Sequence, residues 1–453
     1  MKLETIINDP SRIKVNEAVP FEILNDDYVG KSDGVHAVLY PITHEEVVAA
    51  VKYAIHHDLK IISRGSGTGL SGATAPVAQE LVLDLSRMNR IHGLDESTMT
   101  LTVEPGVQLH EIQEYVESKG YFYPPDPGSK NSSIGGNVAT NAGGMRAVKY
   151  GVTRDYVKAL RTVLATGETL ELGSINVKSS SGYDLKDLFI GSEGTLGITT
   201  RIDLKVIPLP KYKKSYVVAF EDLTLATRAV AAILQEGIDP TALEFFERDM
   251  MDLSVAQTGI TFPVAVGKSY LLLTLDCDTE TSIASRETEL QRVVTEHQAM
   301  AFMPLNSDEL EHNVWKLRDN LLAAVVNYTE QVTMDETVPI NHVATLYEYT
   351  KDLEAEYGVQ LMSFGHAGDG NLHTCVMRGD LDQAAWAEKK AIVLEKLYDR
   401  IAELGGLPSA EHGIGLIKKP YFHKMTQPLY LDMMRKIKTA FDPENRLNPT
   451  KVI

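Results

Sequence analysis

The segment Gly365-His366-Ala367-Gly368-Asp369-Gly370-Asn371-Leu372-His373 carries two imidazoles at its ends, and Glu411-His412-Gly413-Ile414-Gly415 follows further along the chain. Two imidazoles and a carboxylate suit a divalent transition metal: Zn, Mn or Fe(II), with nothing in the residue types to choose among them. The tight Asp369-Gly370-Asn371 turn lets a hairpin bring the histidines together. Asp369 is either a further ligand or a turn residue bonded to its own backbone, and Asn371 supports the hairpin. His412 stands beside Glu411; its ordinary pKa lies near neutrality, which suits a general base, the alternative being an orienter of Glu411. In Trp315-Lys316-Leu317-Arg318, Arg318 offers a planar fork for a carboxylate, the alternative being a solvated arginine on a helix face.

A second system lies far upstream, so two cofactors are expected. Ser63-Arg64-Gly65-Ser66-Gly67-Thr68-Gly69-Leu70-Ser71-Gly72 follows a short apolar run. Gly67, Gly69 and Gly72 match the spacing of the dinucleotide fingerprint, but that fingerprint needs a helix directly after the glycines. Pro76 and the strand expected at 81 to 85 leave no room for one. What survives is a run of backbone N–H groups among small residues, an anion cradle fit for a pyrophosphate, or a plain surface loop. Two more Gly-rich stretches, 124 to 144 and 191 to 198, point to a large ligand approached by the main chain.

The elements that must position these residues can be sketched from periodicity. A strand at 35 to 40 is stopped by Pro41, and Thr43 caps a helix over 44 to 58 with apolar Val47, Val48, Val51 and Ile55 on one face. Strands are expected at 59 to 62, 81 to 85, 99 to 103, 157 to 166, 169 to 172 and 198 to 206, with a helix at 107 to 119. Residues 124 to 151, rich in Pro, Gly, Ser and Asn, read as one long irregular stretch of the kind that serves function. Pro208-Leu209-Pro210-Lys211 marks a boundary. Beyond it come strands at 215 to 220 and 269 to 276 and helices at 222 to 235, 280 to 298, 382 to 404 and 424 to 441. The expected organisation is an N-terminal segment 1–34, a cofactor domain 35–207, and an α+β domain 208–453 with one broad antiparallel sheet, whose tail returns to the cofactor domain.

Length and composition bound the answer. A chain of 453 residues with 43% hydrophobic and 23% charged residues is an ordinary globular protein of about two domains. A net charge of −18 argues against nucleic acid or an anionic membrane as partner. Cys277 and Cys375 cannot form a disulfide framework, and the N-terminus carries acidic residues early with no apolar h-region. The expectation is a cytoplasmic protein without a transmembrane segment, with peripheral attachment to a membrane-associated complex left open, as is a homodimer.

Taken together, Pro124-Pro125-Asp126-Pro127, Gly135-Gly136-Asn137-Val138-Ala139-Thr140-Asn141-Ala142-Gly143-Gly144, Gly191-Ser192-Glu193-Gly194-Thr195-Leu196-Gly197-Ile198 and the two histidine motifs resemble the vanillyl-alcohol oxidase and p-cresol methylhydroxylase superfamily. They are similar in particular to its branch of D-lactate, glycolate and D-2-hydroxyglutarate dehydrogenases, from about residue 30 to the C-terminus. The resemblance implies a two-subdomain FAD-binding domain of the p-cresol methylhydroxylase type. It implies FAD on Arg64, Gly65, Ser66, Gly67, Thr68, Gly69, Leu70 and Ser71, and on Pro125, Asp126, Gly135, Gly136, Asn137, Thr140, Asn141, Gly143, Gly144, Tyr150 and Gly151. Glu193, Gly197, Ile198 and Asn448 complete the implied set. Some relatives attach the flavin through a His or Cys of the first loop; residues 64 to 72 contain neither, so the FAD is expected to be non-covalent.

The same resemblance makes His366, His373 and Glu411 the metal ligands, Arg318 the anchor of the substrate carboxylate and His412 the base. The implied reaction takes a small 2-hydroxy acid to its 2-oxo acid with a hydride to the flavin. Electrons then pass to a quinone, an electron-transferring flavoprotein, an iron–sulfur subunit or oxygen. The alternatives are an FAD-binding electron-transfer subunit without its own substrate and a metal-dependent hydrolase. D-2-hydroxyglutarate dehydrogenases resemble this chain but carry an Asn where it has Cys375 and a Lys where it has Thr333. The implied substrate is therefore a shorter acid, D-lactate or glycolate.

Overall fold

Three aliphatic runs, Ala37–Leu39, Leu81–Asp84 and Ile61–Arg64, pair in parallel with Leu81–Asp84 in the middle, and Val38, Val82 and Ile62 are removed from solvent. The short strand Ile13–Lys14 adds antiparallel beside Ala37–Leu39. The helix His44–His56 starts where the Thr43 side chain accepts the Glu46 N–H, and it buries Val47, Ala50, Val51 and Ala54 against this sheet. No helix lies between Ile61–Arg64 and Leu81–Asp84, so the crossover that a Rossmann unit requires does not exist.

This computed structural model describes residues 2–26 and 28–453, with Met1 and Asp27 outside the described residues. It divides into two units. One holds the residues up to Gly143, Gly151–Leu209 and Glu411–Ile453; the other holds Gly144–Tyr150 and Pro210–Ala410.

The first unit also contains an antiparallel sheet in the order Thr169–Gly173, Val157–Val163, Ile198–Lys205, Thr100–Val103, Ile91–Asp95. The last of these was not expected from its polar sequence. The stretch expected to be irregular at 124 to 151 contains a helix, Ile134–Thr140. Ser133 caps it by accepting the Gly136 N–H, and Asn141 ends it in the left-handed region at φ 52°. Its glycines lower helix propensity and hide it from periodicity; burial of Ile134 and Val138 stabilises it instead.

The second unit is built on an eight-stranded sheet in which every pairing is antiparallel. The order is Ala301–Pro304, Tyr212–Phe220, Ser269–Cys277, Ala242–Glu247, Gln360–His366, Asn371–Met377, Gln331–Thr333, and Glu336–Thr337 also pairs with Asn371–Met377. The α+β class with a broad antiparallel sheet is thus as the sequence implied. Leu223–Gln235 and Glu280–Glu296 pack on the sheet and on each other. Arg248–Thr258, Asp308–Asp319 and Leu321–Tyr328, none of them anticipated, share a core with Val217, Phe246, Leu272, Phe364 and Cys375. The strand Ala242–Glu247 was also missed, although it occupies the middle of the sheet.

Candidate functional site

In the second unit, the strands Gln360–His366 and Asn371–Met377 form the expected hairpin, with His366 opposite Asn371 and Phe364 opposite His373. Gly370 takes φ +83°, and the Asp369 carboxylate accepts the Asn371 N–H at 3.2 Å, which is the turn-supporting geometry. The hairpin sets the His366 and His373 rings 5.3 Å apart and edge to face, both buried.

Glu244 lies opposite His366 on the neighbouring strand and is fully buried. One of its oxygens stands 2.7 Å from His366 Nδ1; the other is ion-paired with Arg318 Nη2. Burial alone would push this carboxyl's pKa up, but the Arg318 guanidinium and then His366 hold it below the usual value. Arg318 itself is 8% exposed and lies over the Phe364 ring, so it is not on a solvated helix face.

On the other side of the histidines, Asp335 is fully buried, with an oxygen 4.0 Å from His373 Nδ1. It accepts from Asn371 Nδ2 at 3.3 Å and from the Ser409 hydroxyl at 2.7 Å. Glu244 thus gives His366 the carboxylate support at Nδ1 that is usual for a metal-bound histidine, whereas the Asp335 oxygen, at 4.0 Å, stands beyond hydrogen-bond reach of His373 Nδ1. The donor set fits a divalent transition metal. Glu244 and Asp335 were not singled out from the sequence. The available signal was an acid inside an apolar run, Ala242-Leu243-Glu244-Phe245-Phe246.

Cys375 continues the His373 face of its strand and is fully buried; its thiol, 3.5 Å from Thr333 Oγ1, is pushed up to about 12 by burial. That is no nucleophile. Gly144 and Tyr150 belong to this unit, where the Tyr150 hydroxyl donates to Asp276 at 2.9 Å.

In the first unit, the loop after Ile61–Arg64 exposes Gly67, Thr68 and Gly69, and a Cβ on Gly69 would meet nothing within 4 Å. The Arg64 guanidinium pairs with the buried Asp84 at 2.9 Å and folds over Gly67. Ser66 N–H and Gly136 N–H both donate to the Ser133 hydroxyl at 3.3 Å, and a Cβ on Gly65 would strike that hydroxyl. The first Gly-rich loop and the helix Ile134–Thr140 thus converge on one side chain. Backbone N–H groups and open space on this loop fit a pyrophosphate.

The other residues of the implied set mostly build this scaffold. Pro125 and Asp126 are buried, and the Asp126 carboxylate takes Lys130 and Gln113. Thr140 donates to the Gly136 carbonyl, the Asn141 side chain accepts the Arg154 N–H, and Asn137 is buried within the helix. Gly151 and Gly197 are close-packing positions, against Asp155 and against Thr162 and Phe189, and Ile198 is core. Asn448 bridges, accepting the Ser63 N–H at 3.1 Å and donating to the Glu193 carbonyl at 2.6 Å.

Glu411 and His412 belong to this first unit, 3.7 Å apart, with Glu411 against Gly143. The Ser71 hydroxyl donates to the His412 carbonyl at 3.0 Å. Glu193 is buried and takes the Ile414 and Gly415 N–H groups on its two oxygens, at 2.7 and 2.8 Å. Its pKa is raised by burial in spite of those donors. The Glu193 side chain therefore holds the turn that carries Glu411 and His412.

Residues 35–173 match the family described as "FAD binding domain", and residues 209–452 match "FAD linked oxidases, C-terminal domain". A D-lactate dehydrogenase of Anaerostipes hadrus is 38% identical, over 98% of this chain and 95% of that protein. A glycolate oxidase subunit of Bacillus subtilis is 37% identical, over 92% and 88%. A D-2-hydroxyglutarate dehydrogenase of Stutzerimonas stutzeri is 31% identical, over 92% and 90%. Among solved structures, substrate-bound p-cresol methylhydroxylase superposes with a TM-score of 0.81 at 16% identity, covering 100% of this chain and 95% of that one. That likeness speaks to the fold.

Proposed function

Because the chain belongs to the FAD-linked oxidases, we propose that it oxidises a small D-2-hydroxy acid of the D-lactate or glycolate type to the 2-oxo acid, using non-covalent FAD and a divalent metal. Bound FAD supplies the hydride acceptor, and a bound cation supplies charge that favours loss of the alcohol proton. His366, His373 and Glu411 are the proposed ligands. Arg318 is the proposed anchor for the substrate carboxylate, a buried and permanently charged guanidinium with more donors than the one it gives to Glu244. His412 is the proposed base that accepts the hydroxyl proton. The first Gly-rich loop, 64–71, with Ser133 behind it, is the proposed seat of the pyrophosphate.

The observation that carries this reading is the buried grouping of His366, His373, Glu244 and Arg318. Buried ionisable groups gathered around one point, with Glu244 held ionised by Arg318 and His366, are the pattern of a functional site rather than of an ordinary core. Thr333 and Cys375 offer no cation to a second carboxylate, which favours a monocarboxylic acid. The test is anaerobic mixing of the FAD-loaded protein with a panel of D- and L-2-hydroxy acids. D-lactate or glycolate should bleach the flavin, and treatment with a chelator should suppress the bleaching. A flavin that no acid bleaches would overturn the reading.

A second reading is an FAD-binding electron-transfer subunit without its own substrate, favoured by the word "subunit" in the name of the Bacillus subtilis relative. Under either reading the acceptor is proposed to be a quinone, an electron-transferring flavoprotein or an iron–sulfur subunit. No helix among the described residues is long and apolar enough to cross a membrane, and both cysteines are free. The free thiols favour a cytoplasmic setting.

A further inference from the structure

We propose that Glu244 is a positioning residue that sets the tautomer of His366 and the aim of Arg318 together, and thereby the affinity of the site for its divalent cation. This rests on the oxidation reading above, which supplies the roles of those two side chains. Nothing in the sequence motifs points to Glu244; its place on the central strand Ala242–Glu247 does.

A carboxylate with no exposure survives as an anion only where charged partners replace water. Glu244 divides its two oxygens between His366 Nδ1, at 2.7 Å, and Arg318 Nη2. An ionised carboxylate can only accept hydrogen bonds. His366 must therefore donate from Nδ1, which directs its lone pair to Nε2, the nitrogen on the opposite side of the ring. A histidine that binds a metal needs this division of labour, and loss of such a carboxylate partner typically lowers metal affinity about 10- to 100-fold. The same anion balances the Arg318 charge and holds Nη2 of its fork, while the Asp319 carboxylate stands 3.8 Å from Nη1. One side chain thus fixes both the ligand and the carboxylate anchor, and strand register keeps it opposite His366.

Glu244→Gln preserves shape but removes the instruction, because an amide donates to a bare Nδ1 as readily as it accepts from a protonated one. Two measurements decide the matter. Long-range proton–nitrogen NMR of histidine-labelled, chelator-treated wild-type protein, with His366 identified by the signals lost in His366→Gln, reads the tautomer directly. A protonated Nδ1 is expected, and a bare Nδ1 overturns the proposal even if Glu244→Gln fails to fold. Competition against a chromophoric chelator then compares zinc and manganese(II) affinity in wild type and in Glu244→Gln, both loaded with FAD. A loss of about 10- to 100-fold with unchanged FAD content is expected; equal affinity overturns the proposal. Wild-type protein that takes up neither cation overturns the metal reading and the affinity half of this proposal with it, while the tautomer is still decided by the first measurement.

Discussion

The Ser71 hydroxyl donates to the His412 carbonyl over 3.0 Å, joining the first glycine-rich loop to the turn that carries Glu411 and His412. The Ser71 carbonyl, in turn, accepts the N–H groups of Leu416 and Ile417 at 3.0 and 3.3 Å. Glu193, from the third glycine-rich segment, takes the Ile414 and Gly415 N–H groups. Two loops assigned to cofactor binding therefore also hold the backbone beneath the proposed base.

Ser71→Ala removes the hydroxyl alone and leaves the Ser71 carbonyl in place. A buried hydrogen bond of this kind is worth about 1 kcal/mol, so a modest fall in melting temperature is expected. The larger effect should be on flavin reduction by D-lactate, because the turn below His412 loses a side-chain support. Anaerobic stopped-flow with FAD content measured alongside checks this. A variant that reduces its flavin at the wild-type rate would show that the link is structural only.

Glycines of two kinds should separate on substitution. Gly415 has φ +52°, and a Cβ there would lie 2.0 Å from the Ser71 carbonyl oxygen, which is backbone and cannot yield. Gly415→Ala should cost on the order of 2 kcal/mol or more of folding stability. A Cβ on Gly69 meets no protein atom within 4 Å. Gly69→Ala should melt like wild type yet retain less FAD after gel filtration. Equal stability in the two variants would contradict the division.

Much of this was legible in the sequence where spacing itself encodes geometry. The turn Asp369-Gly370-Asn371 fixes a hairpin register, and register alone brings His366 and His373 together. The absence of a crossover helix followed from Pro76 and the short interval before Leu81. What stayed hidden was tertiary. Ile134–Thr140 is a helix because Ser133 caps it and the core takes Ile134 and Val138, not because Gly135 and Gly136 favour it. Glu244 is an acid inside an apolar strand whose purpose stays hidden until its neighbours on the adjacent strand and on the helix Asp308–Asp319 are known. Glu193, read from its motif as a cofactor residue, spends its carboxylate on backbone amides more than 220 residues away in sequence.

The two thiols should differ sharply in reactivity. Cys375 is fully buried and its pKa is pushed up to about 12, whereas Cys277 is partly exposed. Only thiolate alkylates, and only when reached. Iodoacetamide on the native protein at neutral pH should modify Cys277 and spare Cys375, as peptide mass spectrometry would show. Early labelling of Cys375 would mean that the sheet around it opens.

Lys451 provides a pH signature of the C-terminal tail. The residue is 1% exposed, and its Nζ donates to the Ala75 carbonyl at 2.7 Å, just beyond the first glycine-rich loop. Burial lowers its pKa from 10.5 to about 8, against the opposing pull of Glu80 and Asp26. Between those two values the unfolded chain binds the proton and the folded chain does not, so this group's contribution to stability is least below pH 8 and grows as pH rises toward 10.5. The swing is on the order of 3 kcal/mol. In Lys451→Met that dependence should vanish. Urea unfolding of both proteins below pH 8 and again near pH 10.5 should therefore show the wild type gaining on the variant at the higher pH. A gap that stays constant, or moves the other way, would mean that the Lys451 ammonium keeps its charge inside the fold.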